Sequence, residues 1–324
     1  MKNKSLFLIA LFFLGHWASA ASLKTVKVAQ DIYALVGPLE QRSQENLGNN
    51  ATFGFIVSNE GVVLIDSGGT EMGAKAIELA IQQVTEQPIV AVINTGGQDH
   101  RWFGNRYFAD KGAEIITARA TAEDHQARQA SQTERMQTLT QDAWEGTVPQ
   151  VASRLIDEPF EMQVGEIMIS IIPVGQAHTP NDNMVWVADA GVLFTGDLVY
   201  VERMLSVGAQ SAHLSWIEAF SEIGALNPDV IVPGHGHPTT LEVARRDTLN
   251  YLVFLREEVG KILDEGGDMQ SVSEIDQSQF SYLAVYDELR KNRAGSTKSV
   301  VVVVLSQRGQ RTSGGRQQRK GGGV

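Results

Sequence analysis

Short apolar runs, each ending near a glycine, an aspartate or a histidine, recur along this chain. Val62–Ile65, Ile89–Ile93, Ile167–Pro173, Val192–Thr195 and Val230–Val232 are β-branched and nearly continuous, the pattern of strands buried in a core. Thr25–Val36, Thr52–Val57, Glu114–Thr117, Phe160–Val164 and Met184–Val187 add further strands. Ser58–Gly61, Gly165-Glu166 and Ala188–Gly191 separate paired runs and predict hairpins. Apolar residues at helical spacing predict an amphipathic helix over Thr70–Thr85, where Met72, Ala76, Ile77, Leu79, Ala80, Ile81 and Val84 share one face. Gly104–Lys111, Thr121–Thr138, Leu214–Ile223 and Thr239–Leu263 read as further helices, and Gln41–Asn50 as a polar loop. Val62–Gly68 (VVLIDSG) is echoed by Val192–Asp197 (VLFTGD). Two similar β-rich halves with helices outside predict a layered α/β sandwich.

Composition narrows this picture. Lys2 and Lys4, the apolar Leu6–Leu14 and the small-residue site Ala18-Ser19-Ala20 read as a secretory signal cut after Ala20. The mature protein is therefore expected to be periplasmic or secreted, with no membrane contact after cleavage. The chain has no cysteine, which excludes disulfides, thiolate ligands and a Cys nucleophile. A formal charge of −11 argues against nucleic acid as a partner. After Glu288 no acidic residue remains, and the Gly/Arg/Gln/Ser-rich end reads as a basic low-complexity tail with no catalytic role. The domain organisation expected is a signal over residues 1–20, one domain over 21–295 and the tail over 296–324.

The chemistry gathers at the strand ends. Asn94–Asn105, NTGGQDHRWFGN, follows the Ile89–Ile93 run and holds Asp99, His100 and Arg101 side by side. His178 follows Ile167–Pro173, Asp197 follows Val192–Thr195, and His235 sits in Val-Pro-Gly-His-Gly-His. Each element alone is weak; their common placement past apolar runs puts all of them on one edge of the sheets. Imidazole and carboxylate are the ligands of a zinc-like cation, and three of them leave a position open for water, whose pKa the metal brings to about 7. Trp102 and Phe103 read as core rather than pocket wall, His125 and His213 as solvated or surface residues, and His237 as the lesser alternative to His235.

These motifs resemble the metallo-β-lactamase-like hydrolase superfamily. The likeness runs over residues 26–290 and rests on VVLIDSG at 62–68, NT…GN at 94–105, AHTPNDN at 177–183, VLFTGD at 192–197 and VPGHGHP at 232–238. It implies a four-layer αββα sandwich with its site along one edge. It implies that His178 binds a first metal, that Asp197 bridges two, that His235 binds the second and that Asp66 stands behind them. The family pattern after the second apolar run is Thr-His-x-His-x-Asp-His, then Gly-Asn. Kept ungapped, this chain has Gly96 and Gln98 at the first-metal histidines, His100 at the Asp and Arg101 at the second-metal His. A one-residue slip matches Asp99-His100 to the Asp-His pair instead. Either way the first-metal site lacks two histidines, so a single zinc per chain is expected, on His100, His178, Asp197 and His235, with Asp99 as the alternative to His100. NTGGQDHRWFGN with DLVYVERM most resembles periplasmic zinc metallohydrolases of quinoprotein-relay or sulfur-oxidation systems.

The function expected is an exported metal-dependent hydrolase acting on an ester, thioester or amide (lactam) bond of a small-molecule substrate through metal-activated hydroxide. Asp99 or Asp197 would orient the water, and Arg101 or His178 would bind substrate or protonate the leaving group. The alternative, from another class, is a non-hydrolytic periplasmic accessory protein with a redox partner, keeping the fold without the full metal site.

Overall fold

A computed structural model describes residues 23–291; the signal and tail expected at the two ends lie outside the described residues. Strands β1 (Lys24–Ala29), β2 (Ile32–Val36), β3 (Thr52–Ser58) and β4 (Gly61–Ile65) form an antiparallel meander. Helix α1 (Glu71–Gln82) then crosses over to β5 (Ile89–Ile93), which pairs parallel with β4. After β5 come two short helices, α2 (Asp99–Trp102) and α3 (Asn105–Ala109), then β6 (Glu114–Ala118), the long α4 (Arg119–Thr140) and β7 (Arg154–Ile156). These strands make a seven-stranded sheet in sequence order.

The second sheet has five strands: β8 (Phe160–Val164), β9 (Ile167–Gly175), β10 (Asp182–Val187), β11 (Val192–Tyr200) and β12 (Val230–His235). All pairs are antiparallel except β11 with β12, which are joined through helix α5 (His213–Leu226). The chain continues through α6 (Leu241–Ala244), α7 (Asn250–Asp264), α8 (Met269–Ser273) and α9 (Tyr286–Lys291).

Alternation along the strands explains the layering. Val63 and Ile65 face Val185, Phe194 and Val232 of the other sheet, while Val62 and Leu64 face Ile77 and Ile81 of α1. In β11, Val192 and Phe194 point between the sheets, and Leu193 points at Trp216 and Phe220 of α5. With both faces covered, every position in such a strand is apolar, so the run reads as continuous. The result is the layered α/β arrangement that the pattern predicts, in the αββα form that the family resemblance implies. Gly54 lets the two sheets pack closely, since a Cβ there would lie 2.1 Å from the Phe194 ring.

Two differences from the sequence reading bear on the site. Asp99–Trp102, read as loop, is a helical turn. The helix expected over Thr239–Leu263 runs unbroken from Leu241 to Asp264 but takes a π-type turn at Arg245–Leu249. That turn carries Asp247 and Thr248 inward: Asp247 accepts from the Glu202 amide at 3.0 Å, and Thr248 accepts from the Tyr200 amide at 2.9 Å. Satisfying the frayed end of β11 outweighs helical regularity there. Among the described residues no helix is long and apolar enough to cross a membrane.

Candidate metal centre

The centre lies where β4, β5, β11 and β12 end. Leaving β4, Asp66 adopts a left-handed backbone (φ 65°), a conformation Asp tolerates better than most residues. This turns its carboxylate under β5, where it accepts from the Thr95 amide and hydroxyl, both at 2.7 Å. Burial raises its pKa, with Arg101 and Thr95 opposing.

The stretch after β5 is closed at its base. Asn94 and Asn105 exchange side-chain hydrogen bonds of 3.0 and 2.8 Å, and Asn94 also donates to the Arg101 carbonyl. The NT…GN ends are thus physically tied. Between them the α2 turn points His100 and Arg101 inward. Asp99, one residue earlier on the same turn, is buried against Arg42 and Arg135 instead.

Arg101 is the central group. Fully buried, its guanidinium donates to Asp66 Oδ2 at 3.0 Å, the Thr52 carbonyl at 2.9 Å, Asp197 Oδ1 at 2.6 Å and the Gly234 carbonyl at 2.7 Å. Gly234 must be glycine for this approach, since a Cβ there would stand 2.7 Å from Arg101 Nη2 and 2.4 Å from the Gly196 carbonyl. Burial would lower the Arg101 pKa, but Asp197 and Asp66 outweigh it and push it up.

Around Arg101, His100 Nε2 lies 3.2 Å from Asp197 Oδ2 and His235 Nε2 lies 3.2 Å from Asp197 Oδ1. Each of the three residues offers one ligand atom, all within 4.8 Å of one another. His100 Nε2 and Asp197 Oδ2 are buried without a hydrogen-bond partner. His235 Nδ1 lies 2.8 Å from the Asn50 carbonyl, to which it donates, leaving the Nε2 lone pair facing Asp197. Burial holds the His235 pKa well below the usual value, so its ring is neutral at pH 7. Burial would raise the Asp197 carboxyl, but Arg101 and His100 hold it well below the carboxylate range. Two neutral-capable imidazoles and one carboxylate fit a single zinc-like ion. Beside Asp197, on its Oδ1 side, stands the Arg101 guanidinium.

Other residues fall outside this group. Asp99, a sequence candidate for ligand or water-orienting base, points away and is ion-paired with Arg42 (2.7 Å) and Arg135. Arg101, a candidate substrate-binding group, uses both terminal nitrogens within the protein, and its Nε is buried without a partner. His178, a candidate ligand, lies 3.8 Å from Asp197 Oδ2, beyond the three-residue group, with its Nε2 3.4 Å from the Tyr200 hydroxyl. Gln98 Oε1 lies 3.5 Å from Arg128 Nη1. Trp102 and Phe103 are core. His237 is exposed and lies 2.8 Å from Glu202. Three functional neighbours escape the sequence reading. Tyr200 stacks on His235 with centroids 4.5 Å apart; Arg42 and Asn50 come from the loop read only as polar.

His125 and His213, read as solvated, are buried; His125 stacks on Trp102 at 4.4 Å. Burial lowers their pKa values to about 3 and about 4. As pH falls through 6.5 the unfolded chain takes up these protons first, so stability is full above pH 6.5 and is lost below it. Between pH 7 and pH 5 each histidine removes about 2 kcal/mol. Urea unfolding at the two pH values measures the loss; unchanged midpoints would refute it.

A two-sheet sandwich with helices on both outer faces and a His/Asp/His group on one edge defines a hydrolase-type fold able to hold a metal ion. The chain belongs to the metallo-beta-lactamase superfamily, whose pattern matches residues 48–235. The fold is similar to that of a metallo-beta-lactamase from Pontibacter korlensis (TM-score 0.58, 19% identity, covering 71% of this chain and 99% of that one). It is also similar to the stereoselective inverting sec-alkylsulfatase Pisa1 from Pseudomonas sp. (TM-score 0.67, 15% identity, covering 88% of this chain and 50% of that one). The DIM-1 metallo-beta-lactamase matches at TM-score 0.54 and 14% identity, covering 72% of this chain and 97% of that one. At these identities the likeness is one of fold.

Proposed function

We propose that this protein is an exported hydrolase working with one zinc ion held by His100, Asp197 and His235. The observation that carries the reading is the convergence of two imidazole nitrogens on a buried carboxylate beside a built-in arginine. When bound, the ion supplies Lewis acidity and an activated water for attack on an ester, thioester or amide carbonyl. The chain does the rest. Arg101 fixes Asp197 in its ionised form, and the Asn50 carbonyl fixes the His235 tautomer. Burial lowers the His178 pKa to about 4, so at pH 7 its ring is neutral and able to take a proton beside the centre. Burial raises the Tyr200 hydroxyl well above its usual range, so it stays protonated as a donor toward His178.

Elemental analysis of protein purified without chelator tests this reading, with one zinc per chain as the expected result. Two ions per chain would overturn the role given to Arg101. A second reading has its own support: the buried charges are already paired, Arg101 with Asp66 and Asp197, and Arg42 and Arg135 with Asp99. A protein that takes up no zinc even when zinc is supplied would be the non-hydrolytic binding or accessory protein of a redox system.

A further inference from the structure

We propose that Arg42 is a displaceable latch on His100, which keeps that residue from ligating until Arg42 swings away. The inference rests on the one-metal reading and adds a residue to it. Arg42 Nη2 lies 2.6 Å from His100 Nδ1. An arginine nitrogen only donates, so His100 Nδ1 is the acceptor and carries no proton. In the neutral ring the proton is then on Nε2, the atom 3.2 Å from Asp197 Oδ2. A protonated Nε2 has no lone pair for a metal. The imidazole that completes the His/Asp/His group is therefore in the wrong tautomer while Arg42 is seated.

The correct tautomer has a partner waiting. Asp99 Oδ1 lies 3.3 Å from His100 Nδ1. That oxygen already accepts from the His100 amide at 2.9 Å and is in ion contact with Arg42 Nε at 2.7 Å. Departure of Arg42 frees both atoms at once: Nδ1 of its donor and Oδ1 of a crowding cation. His100 can then donate from Nδ1 to Asp99 and present a bare Nε2, the carboxylate–histidine pairing usual behind a metal ligand. The ring keeps one proton throughout, moved from Nε2 to Nδ1 through solvent.

The latch can move without its loop. The backbone around it is pinned by Asn46 Nδ2 to the Gln41 carbonyl (2.8 Å), Asn50 Nδ2 to the Glu40 carbonyl (2.9 Å) and Arg203 Nε to the Leu39 carbonyl (2.6 Å). None of these bonds uses the Arg42 side chain, which is 12% exposed at the surface of the centre. Asp99 keeps its second cation, Arg135, when Arg42 leaves.

Two measurements test the latch. Zinc affinity, read by competition with a chromophoric chelator, is expected to be on the order of 10- to 100-fold tighter in Arg42→Met than in the unaltered protein, the equivalent of one hydrogen bond to a charged group. Long-range proton–nitrogen NMR of the zinc-free, unaltered protein is expected to show His100 protonated on Nε2, moving to Nδ1 when zinc is added. Equal affinities in the two proteins, or a proton on Nδ1 before zinc is added, overturn the latch and leave the one-metal reading standing. Zinc bound by neither protein overturns both.

Discussion

Arg101→Met lowers the stability of the zinc-free protein by about 3–5 kcal/mol, the cost typical of breaking a buried ion pair by removing one partner. The residue is fully buried and bridges two carboxylates, Asp66 at 3.0 Å and Asp197 at 2.6 Å, from opposite halves of the sandwich. Methionine fills much of the volume but donates nothing. The loss comes from what is left behind: two buried anions and the Thr52 and Gly234 carbonyls without their donor. Adding Asp66→Asn to Arg101→Met therefore restores part of the loss, because it removes one stranded charge. Denaturant unfolding of the single and double variants measures both effects. A loss below about 1 kcal/mol in the single variant, the size of an exposed pair, would refute the keystone role.

On the proposed one-zinc reading, His235→Ala is expected to take the zinc content from one ion per chain to none and to bring hydrolysis to background. His235 is the ligand whose presentation is most fully determined. Its Nδ1–H is committed to the Asn50 carbonyl, its face is covered by Tyr200, and its Nε2 faces Asp197. Loss of an outer hydrogen-bond partner alone typically costs about 10- to 100-fold in metal affinity or activity, and loss of the ligand costs more. His237→Ala is the matched control. That histidine is two residues away, exposed and paired with Glu202, and its removal leaves zinc content and rate unchanged. Elemental analysis and initial rates on the same preparations decide it. Equal zinc in His235→Ala and the unaltered protein would remove His235 from the centre.

Much of the fold was legible because strands β4, β5 and β11 are covered on both faces and so spell continuous apolar runs. The three-residue β7 was missed, being too short to show any period. The π-type turn inside the long C-terminal helix was not legible because its cause, Asp247 and Thr248 bonding to the end of β11, spans more than forty residues of sequence. The same limit governs the site. His100, Asp197 and His235 sit where their strand ends place them, and the family motifs point to the same edge. The direction of Asp99 was not legible, since whether 99 or 100 faces inward depends on the phase of a single helical turn. Arg42 and Asn50 reach the centre from a loop with no motif, 58 and 185 residues from their partners. Only folding brings them there.

Arg101 also changes the order in which this protein can be assembled. Many small metal-binding domains acquire their final shape only on loading, because the ligands repel or stay unpaired until an ion joins them. Here a covalently supplied cation joins Asp66 to Asp197 as soon as the two halves of the chain meet. The chain is therefore expected to reach its folded shape without an ion. On the one-zinc reading, folding and loading are then separate events, and a chelator is expected to reverse the second without undoing the first.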